Sequence, residues 1–488
     1  MNKGRVTIPT DDNFIKETCE ILEKWGADAI RDCDGFKLTP EIEGLAEKIY
    51  STYFVSRGDN KWAEEHMDEL QQTYLMSKYN LATSNVLEIS IMDGYFEEQI
   101  QPDIKNDIKE FWEVIDRTAN EVVSTDNWDY NKDEQKVIIK DAKMWHEYTV
   151  SFLAYCIWDP TQMYNHITND WKDKPHDIPF DIRNENTNMH IIEAMHNWLD
   201  NHPGTSVVRF TTFFYHFTLV FNNLKKEKYV DWFGYSSSVS AKALKEFQKE
   251  KGYKLRAEDI IDEGYYNSTF RVPKKAYLDY MDFQQKFVAE NVKKLVDIVH
   301  ENGREAMMFL GDTWIGTEPY GKYFKDIGLD AVVGSVGNGA TLRMISDIPG
   351  VKYTEGRFLP YFFPDTFFEG NDPIIEAREN WLTARRAIMR KPVDRIGYGG
   401  YLSLAYKFPD FVKYIGSVCD EFREIYDNIN NVKPHCGLKV AILNCWGKLR
   451  TWQTHMVAHS LWYKQIYTYL GVIEALSGMS FDVEFISF

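Results

Sequence analysis

Short apolar runs that stop abruptly at glycine or charged residues recur along this chain, with stretches of helical period between them. That alternation constrains the fold most, because strand–helix–strand units have few ways to bury both faces of each strand. The clearest run is Ala306–Leu310. Gly311 breaks it and Asp312 follows at once, flanked by Trp314 and Gly316. In parallel barrels and open sheets the residues just past a strand's carboxyl end face the ligand cleft. Burial beside a tryptophan would raise the pKa of a carboxyl there and suit it to donate a proton. A strand-end aspartate also caps turns, and spacing alone leaves both roles open.

The same pattern is read along the rest of the chain. Ile15, Cys19, Leu22 and Trp25 give residues 13–25 a helical face ended by Gly26. Residues 27–31 then form a strand leading to the polar loop Asp32-Cys33-Asp34-Gly35, with Arg31 at the lip. A pairing of Arg31 with Asp28 or Asp34 would account for it structurally. Residues 50–55 are a second strand. Residues 150–158 are a buried strand stopped at Asp159-Pro160, which leads to Tyr164 and Asn165. Residues 206–214 are a strand in which Arg209 has apolar neighbours, so that a carboxylate or a bound anion must answer its charge.

Residues 188–199, 240–251, 277–300, 375–388 and 411–429 read as helices, the third with one stripe of Met281, Val288, Val292, Leu295 and Val299. Glu355 and Arg357 precede an aromatic stretch, 358–363, and 395–401 is a short strand. Residues 73–141 interrupt the alternation, with strands over 86–92 and 137–140 and a helix around 111–118. The glycines of 334–339 resemble a phosphate loop only loosely.

Alternation over about 430 residues suits one α/β chain folded as a (β/α)8 TIM-like barrel with insertions, residues 1–432. A composition break follows at 430–438, with Pro434 and Gly437. Strands at 439–444 and 481–488 around a helix at 452–476 make a βαβ unit, the start of a second, smaller α/β domain over 433–488. So short a unit is hard to stabilise alone, and the expectation is a chain shortened at its carboxyl end.

A net charge of −18 argues against nucleic acid or an anionic membrane as partner, though not against a small anion met by local positive charge. Residues 1–20 lack the apolar stretch of a secretory leader. Six scattered cysteines without a CxxC pair suit reduced thiols in a cytoplasmic protein. Asn267-Ser268-Thr269 matches a glycosylation sequon by chance. The 12 histidines include no HExxH, and no metal is expected.

Six segments in order carry a resemblance that spans the chain: Gly26-Ala27-Asp28-Ala29-Ile30-Arg31-Asp32-Cys33-Asp34-Gly35, Tyr53-Phe54-Val55-Ser56-Arg57-Gly58-Asp59, Asp159-Pro160-Thr161-Gln162-Met163-Tyr164-Asn165, Asp231-Trp232-Phe233-Gly234-Tyr235, Gly311-Asp312-Thr313-Trp314-Ile315-Gly316-Thr317-Glu318-Pro319 and Glu355-Gly356-Arg357-Phe358-Leu359-Pro360-Tyr361-Phe362-Phe363-Pro364-Asp365. They resemble the β-1,3-galactosyl-N-acetylhexosamine phosphorylases, also called galacto-N-biose/lacto-N-biose phosphorylases, whose relatives include galactosyl-rhamnose phosphorylases. The resemblance implies a partly irregular barrel followed by an α/β domain like the trimerisation domain of β-galactosidases.

It also implies inverting phosphorolysis of a β-galactoside to α-D-galactose 1-phosphate and a free acceptor sugar. Such a reaction needs one acid, since phosphate itself is the nucleophile, and arginines to hold the dianion. On this reading Asp312 is the acid. Arg31, Tyr164, Asn165 and Arg209 bind phosphate, and Asp34, Trp232, Glu355, Arg357 and Tyr361 bind sugar. Phosphate is a co-substrate, no cofactor is expected, and the full-length protein is a homodimer. The alternatives are a barrel-type β-galactoside hydrolase using Asp312 with Glu355, and an inactive sugar-binding fragment.

Overall fold

The computed structural model describes residues 3–33, 35–56, 58–169, 175–215, 218–231, 235–267, 271–310, 315–319, 321–337, 339–358, 366–388, 391–432, 435, 437–444, 475–476 and 481–487. Eight strands close into a parallel barrel: Val6–Pro9, Ala29–Arg31, Lys48–Phe54, Val207–Thr212, Glu305–Leu310, Ala331–Val336, Tyr353–Phe358 and Arg395–Tyr398. They are called the first to eighth barrel strands below. Each pairs with its neighbours in chain order, and the first and eighth close the ring through Val6 opposite Ile396.

The barrel interior is packed. Ala29, Tyr50, Val207, Met307, Phe309, Ala331 and Val333 form one buried cluster, with Tyr353 against it. These residues alternate along their strands with side chains that face outward, the period of two that a strand imposes. The first helix, Ile15–Trp25, is ended by Gly26 in the left-handed conformation, which glycine adopts without a Cβ penalty. Gly316, beyond the fifth strand, has φ +80 and sits so close to Val288 that a Cβ would lie 2.5 Å from the valine Cβ. Only glycine fits there. Val288, Val292, Leu295 and Val299 of helix Lys275–Glu301 are all buried, as their spacing predicts.

Contacts divide the chain into two compact units. One holds residues 1–55, 192–213 and 288–488, and so all eight barrel strands; the other holds 56–191 and 214–287. In the second unit Glu147–Cys156 is the centre of an antiparallel sheet, flanked by Gln72–Met76 and Glu113–Asp116. A further antiparallel sheet orders Trp128–Asn131, Lys136–Lys140 and Val86–Ser90.

Several expectations need correction here. The helix expected around 111–118 is one short turn, Ile108–Phe111, followed by the strand Glu113–Asp116. Its β-branched Val114 and Ile115 pack as strand residues opposite Val150 and Thr149. Beyond the strand that ends at Cys156, Pro160 begins helix Pro160–Asn169, and Asp159 Oδ1 accepts from Gln162 N at 2.9 Å as an amino-terminal cap. Glu355 and Arg357 lie inside the seventh strand rather than before one. The chance sequon is closed off, because Asn267 is buried and donates to the carbonyls of Asp259 and Ile260.

Leu438–Asn444 and Phe481–Ser487 pair in parallel over all seven positions, as a βαβ unit requires. The helix expected between them at 452–476 lies outside the described residues except for 475–476. Among the described residues, no helix is long and apolar enough to cross a membrane.

Candidate functional site in the barrel

Arginines gather at one level of the barrel, toward the carboxyl ends of the strands. A cavity there is lined by Arg31, Tyr50, Arg209, Val333, Glu355, Arg357 and Tyr398. The seven come from six different strands, and parallel pairing brings them together. Arg31 is the last residue of the second strand, and Arg209, Val333, Glu355 and Arg357 occupy inward positions of the fourth, sixth and seventh. Among the described lining residues three cations face one carboxylate.

Each charge has a distinct setting. The Arg31 guanidinium donates to backbone carbonyls, to Asp32 O at 3.0 Å, Gly399 O at 2.9 Å and Gly400 O at 3.2 Å. Neither Asp28 nor any other described carboxylate is within ion-pair reach; Asp28 is taken by Arg395, at 2.5 and 3.0 Å. Carbonyls fix the Arg31 fork without cancelling its charge. Arg209 donates to Thr52 Oγ1 at 3.1 Å and lies over the Phe309 ring, 4.9 Å from its centroid. Arg357 lies over the same ring at 4.4 Å. Phe309 therefore offers negative π density to both guanidinium groups.

Burial lowers the pKa of Arg209 to about 10, helped by the charge of Arg31. Both causes mean that a cation here is held at a cost, which a bound anion would relieve. Glu355 is the counter-charge of the level below. Its Oε2 accepts from Thr7 Oγ1 at 2.9 Å and Tyr50 Oη at 3.3 Å, and Arg395 Nε stands 3.5 Å away without hydrogen-bond alignment. Burial and the Glu355 charge push the Tyr50 hydroxyl up, so it stays a donor. Gly397 makes room for this carboxylate: a Cβ there would lie 2.7 Å from Glu355 Oε1.

The enclosed space is about 10 Å³, enough for one water. A larger anion must sit on the outer side of the arginine level or spread the guanidinium groups. Ser335, opposite Arg357 on the sixth strand, is buried and its Oγ has no hydrogen-bond partner among the described residues.

Of the residues expected to act, Arg31, Arg209, Glu355 and Arg357 are thus brought together. Asp34, Trp232, Asp312 and Tyr361 lie outside the described residues. Tyr164 and Asn165 fall in helix Pro160–Asn169 and their side chains are not among those described. The strand preceding them, Glu147–Cys156, is not a barrel strand, which corrects their expected place at a barrel strand end. Sequence reasoning missed Thr7, Tyr50, Thr52, Asp32 and Arg395. Only Asp32, beside Arg31 in a polar strand-end loop, carried any signal.

Fold and site together define a (β/α)8-barrel protein whose interior cavity presents, among its described lining residues, more guanidinium groups than carboxylates. Residues 4–437 match the family model for the lacto-N-biose phosphorylase N-terminal TIM barrel domain, and 439–488 match that for the lacto-N-biose phosphorylase central domain. The chain belongs to the lacto-N-biose phosphorylase family. It is 60% identical over 486 residues to the 1,3-beta-galactosyl-N-acetylhexosamine phosphorylase Cphy3030 of Lachnoclostridium phytofermentans, covering 99% of this chain and 67% of that protein. It is 55% identical over 485 residues to the 1,3-beta-galactosyl-N-acetylhexosamine phosphorylase of Bifidobacterium longum, covering 99% and 65%. To the D-galactosyl-beta-1->4-L-rhamnose phosphorylase of Lachnoclostridium phytofermentans it is 40% identical over 498 residues, covering 100% and 68%. The chain thus spans about two thirds of the length of the relatives it matches.

Proposed function

We propose that this protein is a glycoside phosphorylase that cleaves β-galactosides with inorganic phosphate, giving α-D-galactose 1-phosphate and a free acceptor sugar. The observation that carries the reading is the arginine level: Arg31 and Arg209 face one cavity and neither has a described carboxylate within 4 Å. Guanidinium groups that no described carboxylate answers suit a phosphate dianion, which hydrolysis does not require.

In this reading a phosphate oxygen bonds to the anomeric carbon as the glycosidic C–O bond breaks on the opposite face, which inverts the configuration. Asp312 gives its proton to the departing oxygen and regains one from the incoming hydrogen phosphate. Arg31 and Arg209 hold the phosphate with Tyr164 and Asn165. Asp34, Trp232, Glu355, Arg357 and Tyr361 bind the sugars. The buried position of Glu355, held by Thr7 and Tyr50, favours a role in setting the charge and shape beneath the sugar. The protein acts in the cytoplasm and pairs as a homodimer.

The test is release of galactose 1-phosphate from galacto-N-biose, lacto-N-biose and galactosyl-rhamnose, with and without phosphate. Phosphate-dependent release from at least one is the expected result. Free galactose without phosphate would mark a hydrolase instead.

A further inference from the structure

Arg209 is anchored by one hydroxyl, and that hydroxyl is itself held from below. Asp32 follows the last residue of the second barrel strand and is buried. Its Oδ2 accepts from Thr52 N at 2.7 Å and its Oδ1 from Thr52 Oγ1 at 2.5 Å. The carboxylate thereby continues the ladder between the second and third strands, where a main-chain carbonyl would otherwise stand. Its second oxygen fixes the Thr52 hydroxyl proton.

We propose that Asp32 and Thr52 form a positioning pair that holds Arg209 in the orientation that receives phosphate. The inference rests on reading the cavity as the phosphate site. Thr52 has a single hydroxyl proton, and Asp32 takes it, so a lone pair must face Arg209, whose NH1 donates to it at 3.1 Å. A direct ion pair between Asp32 and Arg209 would orient the guanidinium equally well but would compete with phosphate for it. The interposed hydroxyl transmits orientation and leaves the rest of the fork open. Phe309 closes one face of the guanidinium, which limits its swing.

The chemistry selects the variants. Thr52→Val keeps the shape and β-branching and removes the acceptor, while Thr52→Ser keeps the acceptor. In Asp32→Asn the amide presents one acceptor and one donor to two donors on Thr52. A buried backbone N–H left unmet is costly, so the amide oxygen stays on Thr52 N, the amide NH2 donates to Thr52 Oγ1, and the hydroxyl proton turns toward Arg209.

The experiment measures affinity for inorganic phosphate and, separately, for galacto-N-biose by titration calorimetry on the 488-residue chain. Thr52→Val is expected to weaken phosphate binding about tenfold, the loss of one hydrogen bond to a charged group, with disaccharide affinity unchanged. Thr52→Ser restores it, and Asp32→Asn behaves like Thr52→Val. Wild-type phosphate affinity in Thr52→Val, even with a lowered melting temperature, overturns the proposal and leaves a structural role only. Should Thr52→Val not fold, Asp32→Asn decides by the same two outcomes. Arg209→Lys separates the layers of the argument. If it loses phosphate while Thr52→Val does not, the positioning pair fails alone; if it too binds phosphate normally, the reading of the cavity fails.

Discussion

Replacing Gly397 by alanine would disturb the charge level beneath the site through Glu355. The new Cβ would stand 2.7 Å from Glu355 Oε1 and 3.5 Å from the Thr7 carbonyl oxygen. The second is an ordinary contact, but the first is too short for a carboxylate fixed by Thr7 at 2.9 Å and Tyr50 at 3.3 Å. Glu355 must move, at about 1–3 kcal/mol for overpacking a buried site. Leaving a buried donor or acceptor unmet adds about 1–3 kcal/mol. The expected loss is therefore about 2–6 kcal/mol, read as a lower urea midpoint for the barrel at constant slope. Glu355→Asp shortens the side chain by one methylene and withdraws the clashing oxygen. The double variant should then be more stable than the sum of the single losses predicts, by about 1 kcal/mol or more. Additive losses, within about 0.5 kcal/mol, would show that the alanine acts elsewhere and refute the argument.

Three further expectations concern the proposed acid, the arginine clamp and a buried carboxylate. Asp312→Asn should lower the turnover number for phosphorolysis about 10²- to 10⁴-fold with the fold intact, and near-normal turnover would remove Asp312 as proton donor. Arg209→Lys keeps the charge and loses the planar fork, so steady-state kinetics should show the KM for phosphate rising more than that for disaccharide; Arg209→Ala should lose about 2–5 kcal/mol of phosphate interaction. Asp330 Oδ2 accepts from Ala306 N and His300 Nε2, both at 2.7 Å, and Oδ1 meets Lys352 Nζ at 2.6 Å. Burial opposes its ionisation, but these donors outweigh it and hold its pKa below the ordinary carboxylate value. A depressed folded pKa gives stability that is complete above the unfolded value, about 3.9, and is lost as pH falls through the folded one. Asp330→Asn should thus cost about 2 kcal/mol at pH 7. The gap in melting temperature to wild type should begin to close as pH falls below about 4 and vanish below the folded pKa, and a pH-independent gap would contradict the assignment.

The barrel was legible because its strands are buried on both faces and read as apolar runs stopped by charge. Arg31 and Arg209 stood out for the same reason, as guanidinium groups beside residues such as Ile30 and Phe210 that have no exposure at all. The signal misled at Glu147–Cys156. Nine of its ten residues are buried, so it resembles a parallel barrel strand although its neighbours are antiparallel. What remained hidden is whatever depends on register. Nothing in a lone Thr52 or Gly397 reveals that strand pairing sets one beside Arg209 and the other beneath Glu355.

Closing the ring imposes an order in time. The first barrel strand finds the second soon after both emerge from the ribosome, but its other neighbour includes Ile396, paired with Val6. At bacterial or eukaryotic synthesis rates that partner arrives roughly 20–80 s later. Throughout that interval one edge of Val6–Pro9 stays open to pairing with other chains. The seam at Val6–Ile396 is then where a nascent chain is most exposed to misassembly, and where chaperone dependence should concentrate.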